Sequence, residues 1–373
     1  MTEPLIFLAV GDVGPDRPEP DDCFALAGDL IRSADLAFCH LDLPLTEAGT
    51  RLPQARHAVR APIKTAAAMR DAGFSVVSFA GNHCMDWGRE AFAETIDHLE
   101  AAGLVPLGVG ANVSEARAPR FVETRVGTVA FVGACSILPQ AYWAEANRPG
   151  CAPMRAFTVY EQIEHDQPGT PARVHTFAHR EDLDALVESV RAAKARAATV
   201  IVSIHWGIHF VPAALADYQH EVAHALIDAG ADAILGHHPH ILKGIEFYRG
   251  KPIFHSLCNF AIDLRMDPEH AKSKSFREIQ ALSPGWVPDF NSLYNFPPDS
   301  RMTIIARLAL GESGLMEAGF IPAWINSDAQ AEPLAPEDPR FAQVCAYVEH
   351  MGECAGLSTT FETVANWVRI APK

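Results

Sequence analysis

The stretch TVIVSIHWGIHFVPAALADYQHEVAHALIDAGADAILGHHPH, residues 199–240, decides the fold. Its two ends, TVIVSIHW (199–206) and DAILGHH (232–238), are short apolar runs and read as buried strands. Between them, residues 217–229 carry apolar side chains at 222, 223, 226 and 227, the spacing of an amphipathic helix, and Gly230 stands where a helix C-cap belongs. Strand, helix, strand is the repeating unit of a layered α/β domain. Both runs carry histidine at their carboxyl ends.

The same alternation extends outward. LIFLAV (5–10), ADLAFCHLDL (34–43), SVVSFA (75–80), VAFVGAC (129–135) and PIFHSL (252–257) read as further buried strands, with helical patterns at 22–33, 64–72, 89–102 and 181–197. Beyond residue 263 the pattern breaks. Residues 265–300 are polar, Pro-bearing and aromatic, and read as a long insertion or lid carrying Trp286, Phe290 and Tyr294. Residues 301–310 and 315–325 look like a β-hairpin, and 338–357 with 359–369 like closing helices. The expectation is a single domain over 1–373 with insertions at 140–180 and 265–300 and a C-terminal hairpin plus helices at 301–373.

Composition bounds the function. Hydrophobic residues make up 49% and charged residues 20%, which excludes disorder and fibre. Thirty basic against 46 acidic residues give −16 with His neutral, a field that opposes nucleic acid and anionic membrane. No stretch approaches the roughly 20 apolar residues of a membrane span, and the N-terminus has no basic leader region. A cytoplasmic protein with no nucleic-acid or membrane partner is expected. The 8 cysteines form no CxxC pair and read as reduced, buried thiols, with Cys84 and Cys258 in packing roles.

The chemistry lies at the strand ends. Asp12 follows LIFLAVG; His40 and Asp42 end the second strand; Asn82 and His83 follow SVVSFAG, with Asp86 three residues on. His205 ends its strand with His209 just beyond, His237, His238 and His240 follow DAILG, and His255 and Asn259 flank the last strand. The carboxyl edge of an open α/β sheet is where ligands bind. His, Asp and Asn together suit one or two divalent ions, Zn²⁺, Mn²⁺ or Fe²⁺. Asp12 or Asp42 could bridge two ions about 3.5–4 Å apart, the spacing of two-metal hydrolases. Histidines 238 and 240, two apart in an extended stretch, would point to one side. Histidines 98, 165, 175, 179, 220, 224, 270 and 350 read as surface or helix positions, and His255 as a core histidine. No GxSxG elbow, GxxxxGK[ST] or GxGxxG opens a helix after a strand.

At these residues the chain resembles the poly-γ-glutamate capsule-synthesis (CapA-like) family of the calcineurin-like metallophosphatase superfamily. The matching blocks run in family order: AVGDVG (9–14), ADLAFCHLDLPLT (34–46), residues 59–88 around FAGNHCMDWG, LEAAGLVPLGVGAN (99–112), SIHWGIHF (203–210), GHHPHILKGIE (236–246) and HSLCNF (255–260). The resemblance implies a four-layer α/β/β/α sandwich with long loop insertions. Carried over by position, it implies metal ligation by Asp12, Asp42, Asn82, His205, His238 and His240, joined here by His40. It also implies active-edge roles for His83 and Asp86. This chain departs from the family where His40-Leu41-Asp42 replaces Asn-Leu-Glu, where His209 replaces Glu and where Cys258 replaces Gly. The exchange enriches the pocket in nitrogen donors.

The expected function is a metal-dependent hydrolase of a small carboxylated substrate, cutting an amide, lactam or γ-glutamyl-type C–N bond through metal-activated water. His83, Asp86 and His209 are the expected catalytic groups; Arg60, His237 and Asn259 are expected to contact substrate. Two alternatives stand beside it. A metallophosphoesterase is weakened by Gly14, where such enzymes usually place a histidine two residues after the first aspartate. The other is a non-catalytic accessory protein of polyglutamate synthesis. A homodimer is carried as a further expectation.

Overall fold

The computed structural model describes residues 3–55 and 58–373. Two sheets stack face to face and helices cover both outer faces, giving four layers, α/β/β/α. The first sheet runs in the order Thr359–Val364, Trp367–Pro372, Gly314–Ile325, Met302–Gly311, Leu5–Gly14, Leu36–Leu41, Val76–Ser78, Val105–Leu107. Its last four strands are mutually parallel, and the C-terminal strands join antiparallel beside Leu5–Gly14. In the second sheet Lys251–Phe254, Ala233–His237, Thr199–His205 and Gly127–Cys135 are parallel neighbours, with antiparallel strands Ile245–Tyr248 and Arg120–Thr124 at the edges.

Period-2 alternation decides what each strand presents. Leu36 and Phe38 enter the core between the sheets, while Ala37, Cys39 and Leu41 face the first helix layer with Ile31, Met69 and Phe92. Across the sandwich Ile201, Ala233 and Leu235 point inward, while Val200, Val202, Ile204 and Ile234 pack on Leu186, Val190, Val222 and Leu226 of helices Arg180–Lys194 and Asp217–Asp228. Phe7 and Phe131 meet between the sheets with ring centroids 5.8 Å apart. Continuing the inward parity by one or two steps reaches His40 and Asp42 on one sheet, and His205 and His237 on the other. The sequence therefore changes from apolar to ligand-bearing at the mouth of the inter-sheet core.

Register and one crossing fix that mouth. Asp12 lies beside His40, and His205 beside His237. The chain leaves the second sheet at Phe254 and enters the first at Asn259, which pairs with Asp12. Gly11 is required at the crossing, because a Cβ there would lie 1.9 Å from the Cys258 carbonyl oxygen.

Several expectations need correction. Residues 359–369 form no closing helix; after helix Pro339–Cys354 the chain ends in the antiparallel pair Thr359–Val364 and Trp367–Pro372. TTFETV and WVRIAP pair residue by residue, and a tight turn at Ala365 (φ 53°) joins them without glycine. The stretch after strand Ala233–His237 is also not extended, since φ is 96° at His238 and 54° at His240. Pro239 between them has no N–H to continue a ladder. The 140–180 segment holds an exposed hairpin, Ala156–Glu161 with Arg173–Ala178. The 265–300 segment holds short helices Pro268–Lys272 and Lys274–Gln280. Phe210, Ile241, Leu264, Met266, Phe276 and Trp286 form a small core of their own beneath it. The cysteines are free thiols, with Cys345 half-buried, Cys354 exposed and the rest buried.

Candidate metal centre

Asp12, His40, Asp42, His205, His237, His238 and His240 converge at the inter-sheet mouth, all buried. Two ligand sets stand out. One oxygen or nitrogen each from Asp12, His40 and His205 lie within 4.8 Å of one another, and the same holds for Asp12, Asp42 and His240. Asp12 is common to both. Asp42 reaches across, its Oδ1 3.8 Å from His205 Nε2 and its Oδ2 3.9 Å from His240 Nε2. Asn82 Oδ1 is 2.6 Å from His205 Nε2, and His238 Nδ1 is 3.1 Å from the same nitrogen.

Burial without partners is the diagnostic feature. Both carboxylate oxygens of Asp12, both ring nitrogens of His40 and of His237, Asp42 Oδ1 and His205 Nδ1 are buried with no hydrogen bond. Leaving one buried polar group unsatisfied costs about 1–3 kcal/mol, and more when charged, so a cluster of them in one place calls for a ligand. Carboxylate and imidazole donors sharing an aspartate fit one or two divalent cations. Burial holds His205, His237 and His238 well below the usual imidazole range, which keeps them in the neutral, ligating form. At His240 burial also acts against the charge, but the Asp12 carboxylate 3.2 Å from Nδ1, the field of Asp42 and the hydrogen bond with Asn259 reverse the sign and raise it.

The surroundings orient these donors. His240 Nδ1 is 2.7 Å from Asn259 Oδ1, whose amide donates in turn to the Tyr294 hydroxyl at 2.8 Å. This leaves His240 Nε2 for the centre, the arrangement by which outer groups fix a ligand's tautomer. A Cβ at Gly81 would lie 2.8 Å from His40 Nε2, so the Gly-Asn-His turn can approach the cluster only without a side chain. Cys258, where the family resemblance expects glycine, takes φ 64° and is fully buried.

Above the cluster opens a cavity of about 470 Å³, walled by Asp42, His83, His209, His240 and the lid residues Phe276, Trp286 and Phe296. His83 is a quarter exposed, and its Nδ1 is 2.7 Å from Asp86 Oδ2. Burial disfavours its charge, but the bond to Asp86 and the fields of Asp42, Asp86 and Asp12 push it up to about 9. His209 stacks on His238 with ring centroids 3.7 Å apart and leaves Nε2 without a partner. Burial and the neighbouring His240 hold it well below the usual range. Two imidazoles on one cavity are thus driven to opposite protonation states.

Four of the expected site residues do not line the cavity. Asp86 is buried behind His83, to which it bonds, and receives the Tyr142 hydroxyl at 2.9 Å. His237 is fully buried under the cluster and stacked on His40, away from the cavity wall. Asn259, also fully buried, holds His240. Arg60 donates to the Glu47 carbonyl at 3.0 Å and lies 4.2 Å over the Trp87 ring; among the described residues Arg51 is the Lys or Arg that lines the cavity. In the lid, Phe290 is half exposed, whereas Trp286 and Phe296 face the cavity and Tyr294 reaches Asn259. Tyr142, Tyr294 and Phe296 carry no strand-end signal, and only the fold brings them in.

Residues 7–264 match the family described as bacterial capsule synthesis protein PGA_cap. The chain belongs to this family. It is 31% identical over 196 residues to the PGA biosynthesis protein CapA of Bacillus subtilis, covering 52% of this chain and 44% of that one. An uncharacterised protein of Sinorhizobium fredii is 30% identical over 317 residues, covering 70% of this chain and 67% of its own. A probable polyglutamine synthesis accessory protein of Mycobacterium tuberculosis is 32% identical over 192 residues, covering 50% and 45%. The chain therefore spans less than half the length of the CapA and accessory-protein relatives. Among solved structures, the calcineurin-like phosphoesterase YfkN from Bacillus subtilis aligns over 95% of this chain and 98% of that one, with TM-score 0.40 and 13% identity. Among the described residues, no helix is long and apolar enough to cross a membrane.

Proposed function

We propose that this capsule-synthesis family member is a metal-dependent hydrolase of a small carboxylated substrate, cutting an amide, lactam or γ-glutamyl-type C–N bond. The observation that carries this reading is the set of buried, unpartnered donors on Asp12, His40, Asp42 and His205, of which Asp42 also lines the cavity beside His83 and His209. Asp12, His40, Asp42, Asn82, His205, His238 and His240 would hold one or two divalent ions. Such ions, when bound, supply a Lewis acid for the scissile group and lower the pKa of water.

The chain's own residues supply the rest. His83, held as imidazolium by Asp86 and with Nδ1 engaged there, has Nε2 left to donate a proton to the departing nitrogen. His209, neutral at physiological pH, accepts a proton on its free Nε2. Environments that push two titratable groups apart on one site assign acid and base. Arg51 and the His83 charge offer a counter-charge to a substrate carboxylate, while Trp286, Phe276 and Phe296 exclude water. The names of relatives that speak of PGA biosynthesis and of polyglutamine synthesis support a γ-linked glutamyl compound as substrate.

The test is an assay of chelator-stripped protein on γ-glutamyl amides and pyroglutamyl lactams, with Zn²⁺, Mn²⁺ or Fe²⁺ added back. Activity is expected to return with metal, and His83→Ala to lower kcat by about 10²–10⁴-fold with metal content unchanged. Faster turnover of aryl phosphates than of any amide would shift the reading to a phosphoesterase. Protein purified without chelators that carries no ion and turns over neither class would support an accessory role instead.

A further inference from the structure

A second cluster lies outside this centre. His220 and His224 occupy positions four apart on helix Asp217–Asp228 and so share one face. Both reach Glu246 on the edge strand Ile245–Tyr248, and so does His255, one residue past strand Lys251–Phe254. His220 Nδ1 is 2.9 Å from Glu246 Oε2, His255 Nε2 is 2.8 Å from the same oxygen, and His224 Nε2 bonds the other oxygen, Oε1. Ligand atoms of His220, Glu246 and His255 all lie within 4.8 Å of one another. His255 is fully buried, with Nδ1 lacking any partner, while the His220 side chain is 36% exposed, so the cluster opens to solvent on one side.

We propose that His220, Glu246 and His255 form a second binding site for a Zn²⁺-type divalent cation, with His224 orienting the carboxylate through its other oxygen. Two imidazoles and one carboxylate with an open fourth position is an established zinc donor set. Tetrahedral bonds of about 2.0–2.1 Å separate ligand atoms by about 3.3–3.4 Å, so the present 2.8 and 2.9 Å contacts need open by only about half an ångström. The His224 ring lies on Tyr248 at 3.9 Å and 7°, which fixes the imidazole that steers Glu246. Burial lowers His255, favouring the neutral ring that ligation requires.

The position gives the ion a task. His255 begins the crossing from one sheet to the other that ends at Asn259, the residue that holds His240. The indole of Trp206, beside His205 in sequence, donates to the His255 carbonyl at 3.1 Å. An ion on His255 would tie helix Asp217–Asp228 and the edge strand to the segment that shapes the first centre.

The test separates the two sites. Chelator-stripped Asp12→Ala/His240→Ala protein, with the first centre disabled, is titrated with Co²⁺ and read by the visible absorption of four-coordinate cobalt. One equivalent is expected to bind, and its band to vanish when His220→Ala is added. A folded double variant that binds no Co²⁺, or binds it equally with and without His220, would overturn the proposal. If the double variant does not fold, elemental analysis of Zn²⁺-loaded wild-type and His220→Ala protein decides: one ion fewer in the variant supports the site, and equal content overturns it.

Discussion

The two histidine clusters of this chain solve burial in opposite ways. At the inter-sheet mouth, two carboxylates and several imidazoles are buried with atoms that touch no partner. Beside helix Asp217–Asp228, one carboxylate receives three imidazoles, and both of its oxygens are satisfied. The first arrangement is costly as it stands, and its donors fit a cation. The second stands as a hydrogen-bonded ion-pair network by itself, and a cation must displace those bonds to enter. Donor identity alone does not separate these cases; the count of unmet hydrogen bonds does.

The sharpest way to break this contrast is at Asp12, the residue common to both ligand sets of the first centre. Asp12→Ala is expected to abolish tight ion binding there and to lower kcat/KM by more than about 100-fold, beyond what loss of an orienting residue costs. His220→Ala is expected to cost at least ten times less in the same assay. Comparable losses in the two variants would erase the distinction.

A middle-sized effect belongs to Asn259. Asn259→Ala frees His240 Nδ1 from its 2.7 Å partner and is expected to weaken ion binding at the first centre by about 10–100-fold, read by competition with a chromophoric chelator. Unchanged affinity would mean that packing alone orients His240.

The smallest effect is a pH dependence of stability in metal-free protein. The His83 pKa is raised in the folded state to about 9 from an ordinary value of 6.5, so its protonated form stabilises the fold. That contribution is fully present below pH 6.5 and is lost as pH rises through 9. A shift of this size corresponds to on the order of 3 kcal/mol. Denaturant midpoints measured between pH 6 and 10 should fall across that window, and Asp86→Asn should flatten the curve. Equal slopes in the two proteins would remove Asp86 as the cause.

Much of the fold was legible because burial on both faces leaves strands as short apolar runs, and ADLAFCHLD shows within one strand where apolar character gives way to ligands. The convergence of Asp12, His40, Asp42, His205, His238 and His240 was legible for the same reason: strand ends in parallel sheets deliver side chains to one edge. Arg60 misled because the sequence shows a charge but not the Glu47 and Ala48 carbonyls that occupy it. Residues 359–369 misled because Ala365 takes a turn conformation that glycine or asparagine usually announces. His220 and His224 looked like surface positions because Glu246, which gathers them, lies on a different element, and helix periodicity records only the helix's own faces.

The left-handed backbone at His238 has a consequence for evolution and design. A side chain held at φ 96° is strained, and glycine would relax it. Exchanging that imidazole for hydrogen would make the polypeptide sturdier while removing one donor of the proposed cation site. Selection for durability alone would therefore favour glycine at this position, whereas the proposed metal chemistry requires the imidazole.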